Sequence, residues 1–180
     1  MAASSGVEEK WTEARIARGV AFSLPPGKSV LVIPNCGWTG HECDLLVIEK
    51  GLRIIDVEIK VSRSDFKADL EKSKWWHYRP WSRRAKTGEG NRRQWPVKVW
   101  KHYYILPADI WKPEMLDQVS PASGVVLVKA NKNMKASISF LTVRRAKPNR
   151  QATPISPADA IDLARLASLR MWAAINNKAL

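Results

Sequence analysis

The chain has 180 residues, a formal net charge of +13 and a sequence pI near 10.0. That length suits one well-buried domain, and the ordinary share of apolar residues excludes wholesale disorder. The cationic surplus points to a polyanionic partner. Nucleic acid and an acidic membrane surface both fit that charge; no apolar run reaches the length of a membrane span, and the expectation is nucleic acid with no membrane. Met1-Ala2-Ala3-Ser4-Ser5 lacks the charged start and apolar core of a secretory signal, and Cys36 and Cys43 make no disulfide framework. The expected setting is a reducing cytoplasm, bacterial or phage-encoded.

In chain order, Val7 to Val20 reads as a helix, with Trp11, Ala14, Ile16, Ala17 and Val20 as its apolar stripe. Pro25-Pro26-Gly27 breaks the chain. Ser29 to Pro34 is an expected strand, Asn35, Gly37 and Gly40 mark a turn, and Asp44 to Ile48 is a second strand. Glu49-Lys50-Gly51 suits a tight hairpin, with glycine supplying positive φ. Arg53 to Val61 is the third strand. Ile55, Val57, Ile59 and Val61 fall on one face, and Ile54, Asp56, Glu58 and Lys60 on the other.

Ser62 and Asp65 have capping-box spacing for a helix carrying Phe66, Ala68 and Leu70 and extending toward Trp75. Residues 79–96 show no periodicity and read as a basic, Trp- and Arg-rich insertion. Val97 to Leu106, Gly124 to Lys129 and Ser137 to Val143 are further strands. Ser156-Pro157-Ala158-Asp159 starts a closing helix to about Ala174, with Ile161, Leu163, Leu166, Leu169 and Trp172 as its stripe. The whole is an α/β or α+β sandwich around one sheet, a single domain over 1–180.

The chemistry centres on the third strand. Phosphodiester hydrolysis needs a divalent cation on the phosphoryl oxygen, a nucleophilic water and balance for the charge that develops. Mg²⁺ or Mn²⁺ takes hard oxygen ligands. Asp44 and Glu58 supply carboxylates from neighbouring strands, and the Ile59 carbonyl is an available third ligand. Lys60, on the Glu58 face, is placed to orient water or stabilise the transition state, and burial beside a metal is expected to lower its pKa and open a proton-transfer role. Asp56 shares that face; pairing with an arginine at the strand end is the expectation, and contact with the metal is the alternative. Asp65 and Asp69 read as helix-start charges.

Other groups read as structural. Cys36, His41 and Cys43 lack a fourth zinc ligand at a recognisable spacing. His77 and His102 read as packing residues beside aromatics. Pro26-Gly27-Lys28-Ser29 echoes a phosphate-binding loop, but Phe22 stands where that motif needs glycine.

Cys43-Asp44-Leu45-Leu46-Val47-Ile48 followed by Glu58-Ile59-Lys60 resembles the PD-(D/E)XK nuclease signature, with Cys43 in place of its proline. Val61-Ser62-Arg63-Ser64-Asp65-Phe66-Lys67-Ala68-Asp69 resembles the MmcB-like DNA repair branch of that superfamily. The specific part of the resemblance is Asp44 to Asp69. It implies a restriction-endonuclease-like fold, a central mixed sheet of about five strands flanked by helices. It also implies a metal site at Asp44 and Glu58, a catalytic Lys60 and a further glutamate from the first helix, Glu9 or, one turn on, Glu13. Many such nucleases act as homodimers, because two strands must be cut.

Residues 79–101 carry eight lysines and arginines against Glu89 alone, interleaved with Trp81, Trp95 and Trp100. Arg79, Trp81, Arg83, Arg84, Lys86, Arg92 and Arg93 are the expected DNA contacts, through phosphate neutralisation and base stacking. A loop pinned to the core by its tryptophans is the structural alternative. Residues 129–135 and 144–150 add a second basic region. The expected function is a Mg²⁺- or Mn²⁺-dependent DNA endonuclease of repair or recombination. The alternative is a non-catalytic nucleic-acid-binding module on the same fold.

Overall fold

The structure is a computed structural model that describes residues 10–25, 27–76, 92–131 and 138–176. One six-stranded mixed sheet organises the chain, with strands in sequence order from edge to edge. The strands are β1 (Ser29–Cys36), β2 (Cys43–Glu49), β3 (Ile54–Ile59), β4 (Lys101–Pro107), β5 (Gly124–Ala130) and β6 (Ile138–Arg144). β1, β2 and β3 form an antiparallel meander; β3, β4 and β5 are parallel; β6 returns antiparallel to β5. Helix α1 (Glu13–Ser23) precedes the sheet, α2 (Arg63–Leu70) lies in the crossover from β3 to β4, and α3 (Pro157–Asn176) closes the chain. The expected α/β class is borne out, with six strands where about five were expected.

Both sheet faces are covered, which is why the central strands are so apolar. On one face Ile16 and Val20 of α1 pack on Leu45, Val47, Val57 and Ile59. On the other, Leu163 of α3 and Ile155 pack on Ile33, Leu46, Ile48 and Ile54. Further along that second face, Phe66 of α2 and Trp75 pack with Tyr104, Leu106 and Val125. The alternation expected for β3 holds, but its acidic face is buried too: Asp56, Glu58 and Lys60 are each at most 2% exposed.

Several boundaries differ from the sequence reading. α1 starts at Glu13, because Thr12 takes the cap and its side chain accepts the Arg15 amide. Residues 7–9, where the helix was expected to begin, lie outside the described residues. β1 continues through Asn35 to Cys36, so Asn35, with φ 49°, is not in the turn. In the β2–β3 hairpin the positive φ falls on Leu52 (55°) and not on Gly51. Leu52 is held there by tertiary structure: its side chain packs on the core and its carbonyl accepts the Ile155 amide at 2.8 Å.

α2 begins as expected, with the Ser62 hydroxyl accepting the Asp65 amide. It stops at Leu70, and a separate 3₁₀ turn, Ser73–Trp75, carries the chain on. The Ser156–Asp159 capping box of α3 forms in full: the Ser156 hydroxyl accepts the Asp159 amide, and Asp159 Oδ2 accepts the Ser156 amide. The expected α3 stripe is only half right. Leu163 is buried and Leu166 packs beside it, while Ile161, Leu169 and Trp172 are exposed. The helix packs chiefly against edge strand β1, with Leu163 reaching the apolar side chains of β2 and β3, and the rest of the stripe faces outward. No described helix is long and apolar enough to cross a membrane.

Candidate active site

The site forms where the end of β3 meets β2, α2 and the 3₁₀ turn. Asp44 and Glu58 stand on adjacent antiparallel strands, and Lys60 reaches both. Its Nζ lies 2.8 Å from Glu58 Oε2 and 3.5 Å from Asp44 Oδ2. Asp44 Oδ2 also accepts the Ile59 amide at 2.6 Å, which pins this carboxylate to the neighbouring strand. The three residues expected to carry the chemistry therefore meet. Asp44 retains 21% side-chain exposure, whereas Glu58 has none.

Four further residues, Asp69, Tyr104, Lys74 and Lys72, belong to this cluster and were not recognised from sequence. Asp69, expected to be a helix-start charge, sits in the last turn of α2 and is fully buried. Three residues after Phe66, it shares that residue's inward face. Its Oδ2 accepts the Tyr104 hydroxyl at 2.7 Å. The register pairs Tyr104 with Glu58, so that hydroxyl comes from the same sheet face. Lys74, in the 3₁₀ turn, is 1% exposed and donates to Glu58 Oε1 at 2.5 Å, with Asp69 Oδ1 at 3.4 Å. Lys72 stands 2.8 Å from Asp69 Oδ1 and is half exposed. The Phe66–Asp69 spacing and the Tyr104 register were signals available in the sequence; nothing local marks Lys74.

Three ammoniums thus oppose Asp44, Glu58 and Asp69. Burial pushes Glu58 above the usual carboxylate range, against the pull of Lys74 and Lys60. Asp69 is also disfavoured by burial, but Lys74 and Lys60, with Lys72 and the Tyr104 hydroxyl, hold it well below that range. Burial alone would lower Lys60 and Lys74, yet the surrounding carboxylates raise both, so the two stay charged. Glu13 is raised by partial burial and then by Asp44 and Asp65, which places it within the site's field. Glu9 lies outside the described residues.

Among the described residues, Asp56 pairs with no arginine. Register sets it opposite His102, whose Nε2 is 4.0 Å from Asp56 Oδ1, and neither atom has a hydrogen-bond partner. His102 packs edge-on against Trp75 and Tyr104, as expected of a packing histidine, and its Nδ1 meets the Ser123 hydroxyl at 3.0 Å. Burial raises Asp56 to about 7. His77 lies outside the described residues.

The chain's fold is similar to that of SPO1766, a protein of unknown function from Silicibacter pomeroyi. The TM-score is 0.53 at 19% identity, over 93% of this chain and 90% of that one. That likeness concerns the fold alone. No family model and no curated protein matches the chain.

The donors fit a hard divalent cation in kind: two carboxylates and a backbone carbonyl, all oxygen. Among the described residues, no three His, Cys, Asp or Glu side chains are grouped as a ligand set, so Ile59 would have to supply the third protein ligand. Both oxygens of Glu58 are held by ammoniums, so a cation enters only if one lysine moves. Cys36 and Cys43 are buried thiols, and Cys43 Sγ donates to the Cys36 carbonyl at 3.3 Å. That is a packing arrangement.

Of the expected DNA contacts, Arg79, Trp81, Arg83, Arg84 and Lys86 lie outside the described residues. Arg92 donates to the Gln118 carbonyl at 2.9 Å and Arg93 to the Trp76 carbonyl at 3.1 Å. Arg93 also gives its backbone amide to the Trp75 carbonyl. The end of the basic segment is therefore tied to the turn that carries Lys74. In the second basic region, Arg144 is committed to the Ser120 and Ser123 carbonyls.

Proposed function

We propose that the protein is a Mg²⁺- or Mn²⁺-dependent DNA endonuclease of the PD-(D/E)XK type, acting in repair or recombination. The observation that carries this reading is Lys60 Nζ lying between the Asp44 and Glu58 carboxylates, 3.5 and 2.8 Å away, at the mouth of a buried strand. A cation held by Asp44, Glu58 and the Ile59 carbonyl would supply Lewis acidity toward a phosphoryl oxygen and make a water nucleophilic at neutral pH. Lys60, kept charged by its neighbours, offers an ammonium to the developing negative charge. Asp69 and Tyr104 position the two buried lysines. The +13 charge favours the polyanionic substrate.

The second reading is a DNA-binding module without catalysis. It is favoured by the saturation of Glu58, whose two oxygens already face ammoniums. Cleavage of labelled single-stranded, duplex, flapped and four-way-junction DNA separates the two. Activity is expected with Mg²⁺ or Mn²⁺, none with EDTA, and a loss of about 10²-fold or more in Lys60→Ala. Tight DNA binding by folded protein, with no cutting of any substrate in Mn²⁺, would establish the binding module instead.

A further inference from the structure

The two buried lysines on Glu58 are anchored differently. Lys60 belongs to the sheet: its amide donates to the Ile105 carbonyl, and its ammonium lies within 4.0 Å of Asp44, Glu58, Asp65 and Asp69. Lys74 rides on a three-residue 3₁₀ turn whose N-cap makes no side-chain hydrogen bond. Its ammonium reaches two carboxylates, Glu58 Oε1 at 2.5 Å and Asp69 Oδ1 at 3.4 Å. Asp69 Oδ1 is buried with ammoniums nearby, but no donor is aligned on it as a hydrogen bond. Lys72, the nearest of these, is half exposed.

We propose that Lys74 is an internal competitor for the divalent cation: its ammonium holds Glu58 Oε1 in the metal-free protein and transfers wholly to Asp69 Oδ1 when a cation binds Glu58. This rests on the metal site proposed above. An ammonium on Oε1 and a metal ion on the same oxygen exclude one another. Asp69 provides the alternative seat, so release of Glu58 leaves no buried charge unpaired. In the metal-free state, Lys74 bridges Glu58 and Asp69. Apparent metal affinity is the intrinsic affinity reduced by the fraction of molecules in which Lys74 has let go.

The test is calorimetric titration of Mn²⁺ into the wild-type protein, Lys74→Gln, Lys74→Arg and Glu58→Gln, with folding checked by circular dichroism. Glutamine keeps a donor for Glu58 but removes the charge, so Lys74→Gln should bind Mn²⁺ roughly tenfold or more tightly than wild type. Lys74→Arg keeps the charge and can grip Glu58 with a planar fork, so it should bind several-fold more weakly. Glu58→Gln should abolish binding. If Lys74→Gln binds no tighter than wild type while Glu58→Gln loses binding, the metal site stands and the competitor role is overturned. If Lys74→Gln does not fold, equal or tighter binding by Lys74→Arg overturns it in the same way. Absence of Mn²⁺ binding by every folded variant would overturn both the competitor and the metal site beneath it.

Discussion

The Tyr104 hydroxyl donates a 2.7 Å hydrogen bond to Asp69 Oδ2, joining β4 to the last turn of α2 beneath the lysine cluster. Both side chains are fully buried, and Asp69 remains ionised at neutral pH. A buried hydrogen bond to a charged acceptor contributes about 1.5–3 kcal/mol. Tyr104→Phe should therefore destabilise the protein by about that amount, read from urea denaturation midpoints at constant m-value. A change within about 0.5 kcal/mol would mean that the lysines alone secure Asp69.

Glu58 is the common counter-ion of Lys60 and Lys74, which are 2% and 1% exposed. Its truncation leaves two buried ammoniums short of a partner. Glu58→Ala should lose on the order of 3–5 kcal/mol of stability. The double variant Glu58→Gln/Lys74→Gln, with no unpaired charge at that contact, should recover a substantial part. Thermal melts in EDTA measure both. Equal destabilisation in the two would show that packing, not charge, dominates the site.

Asp56 carries a pH signature of the opposite sign to an ordinary salt-bridged acid. Burial raises its folded pKa from 3.8 to about 7, so between those values the folded state binds more protons than the unfolded state. Its contribution to stability is present at low pH and declines as pH rises across that window, by a few kcal/mol at most. Asp56→Asn should stabilise the protein more at pH 8 than at pH 5. Melting temperatures of the two proteins across that range decide it; a pH-independent difference would place the Asp56 titration elsewhere.

Gly124 opens β5 directly against β4. A Cβ there would lie 2.3 Å from the Tyr103 ring and 2.8 Å from the Ala146 amide nitrogen, and the backbone contact leaves little room for relaxation. Gly124→Ala should cost about 1–3 kcal/mol through overpacking. Chemical denaturation checks this, and a neutral result would show that the segment following β6 yields at Ala146.

The strand alternation of residues 54–60, the Ser62 and Ser156 helix starts, and the meeting of Asp44, Glu58 and Lys60 were legible in the sequence. Each depends on local periodicity, or on two strands joined by a short hairpin. What the sequence could not supply was the population of the buried face. Asp69 looked like a surface charge because α2 is short and polar; only its packing on β4 turns that helix face inward. Lys74 has no local pattern at all. It reaches Glu58 because the chain turns at Leu70, forms a 3₁₀ turn and lays Trp75 over Tyr104 and His102. Leu52 in place of Gly51 at positive φ has the same origin: core packing and the Ile155 hydrogen bond outweigh a local backbone preference. Side-chain period and turn chemistry act over a few residues, and they determined the strands and the identity of the central triad. Which charges are buried against one another depends on contacts between distant segments, and only the tertiary structure decided that Glu58 is shared by two lysines.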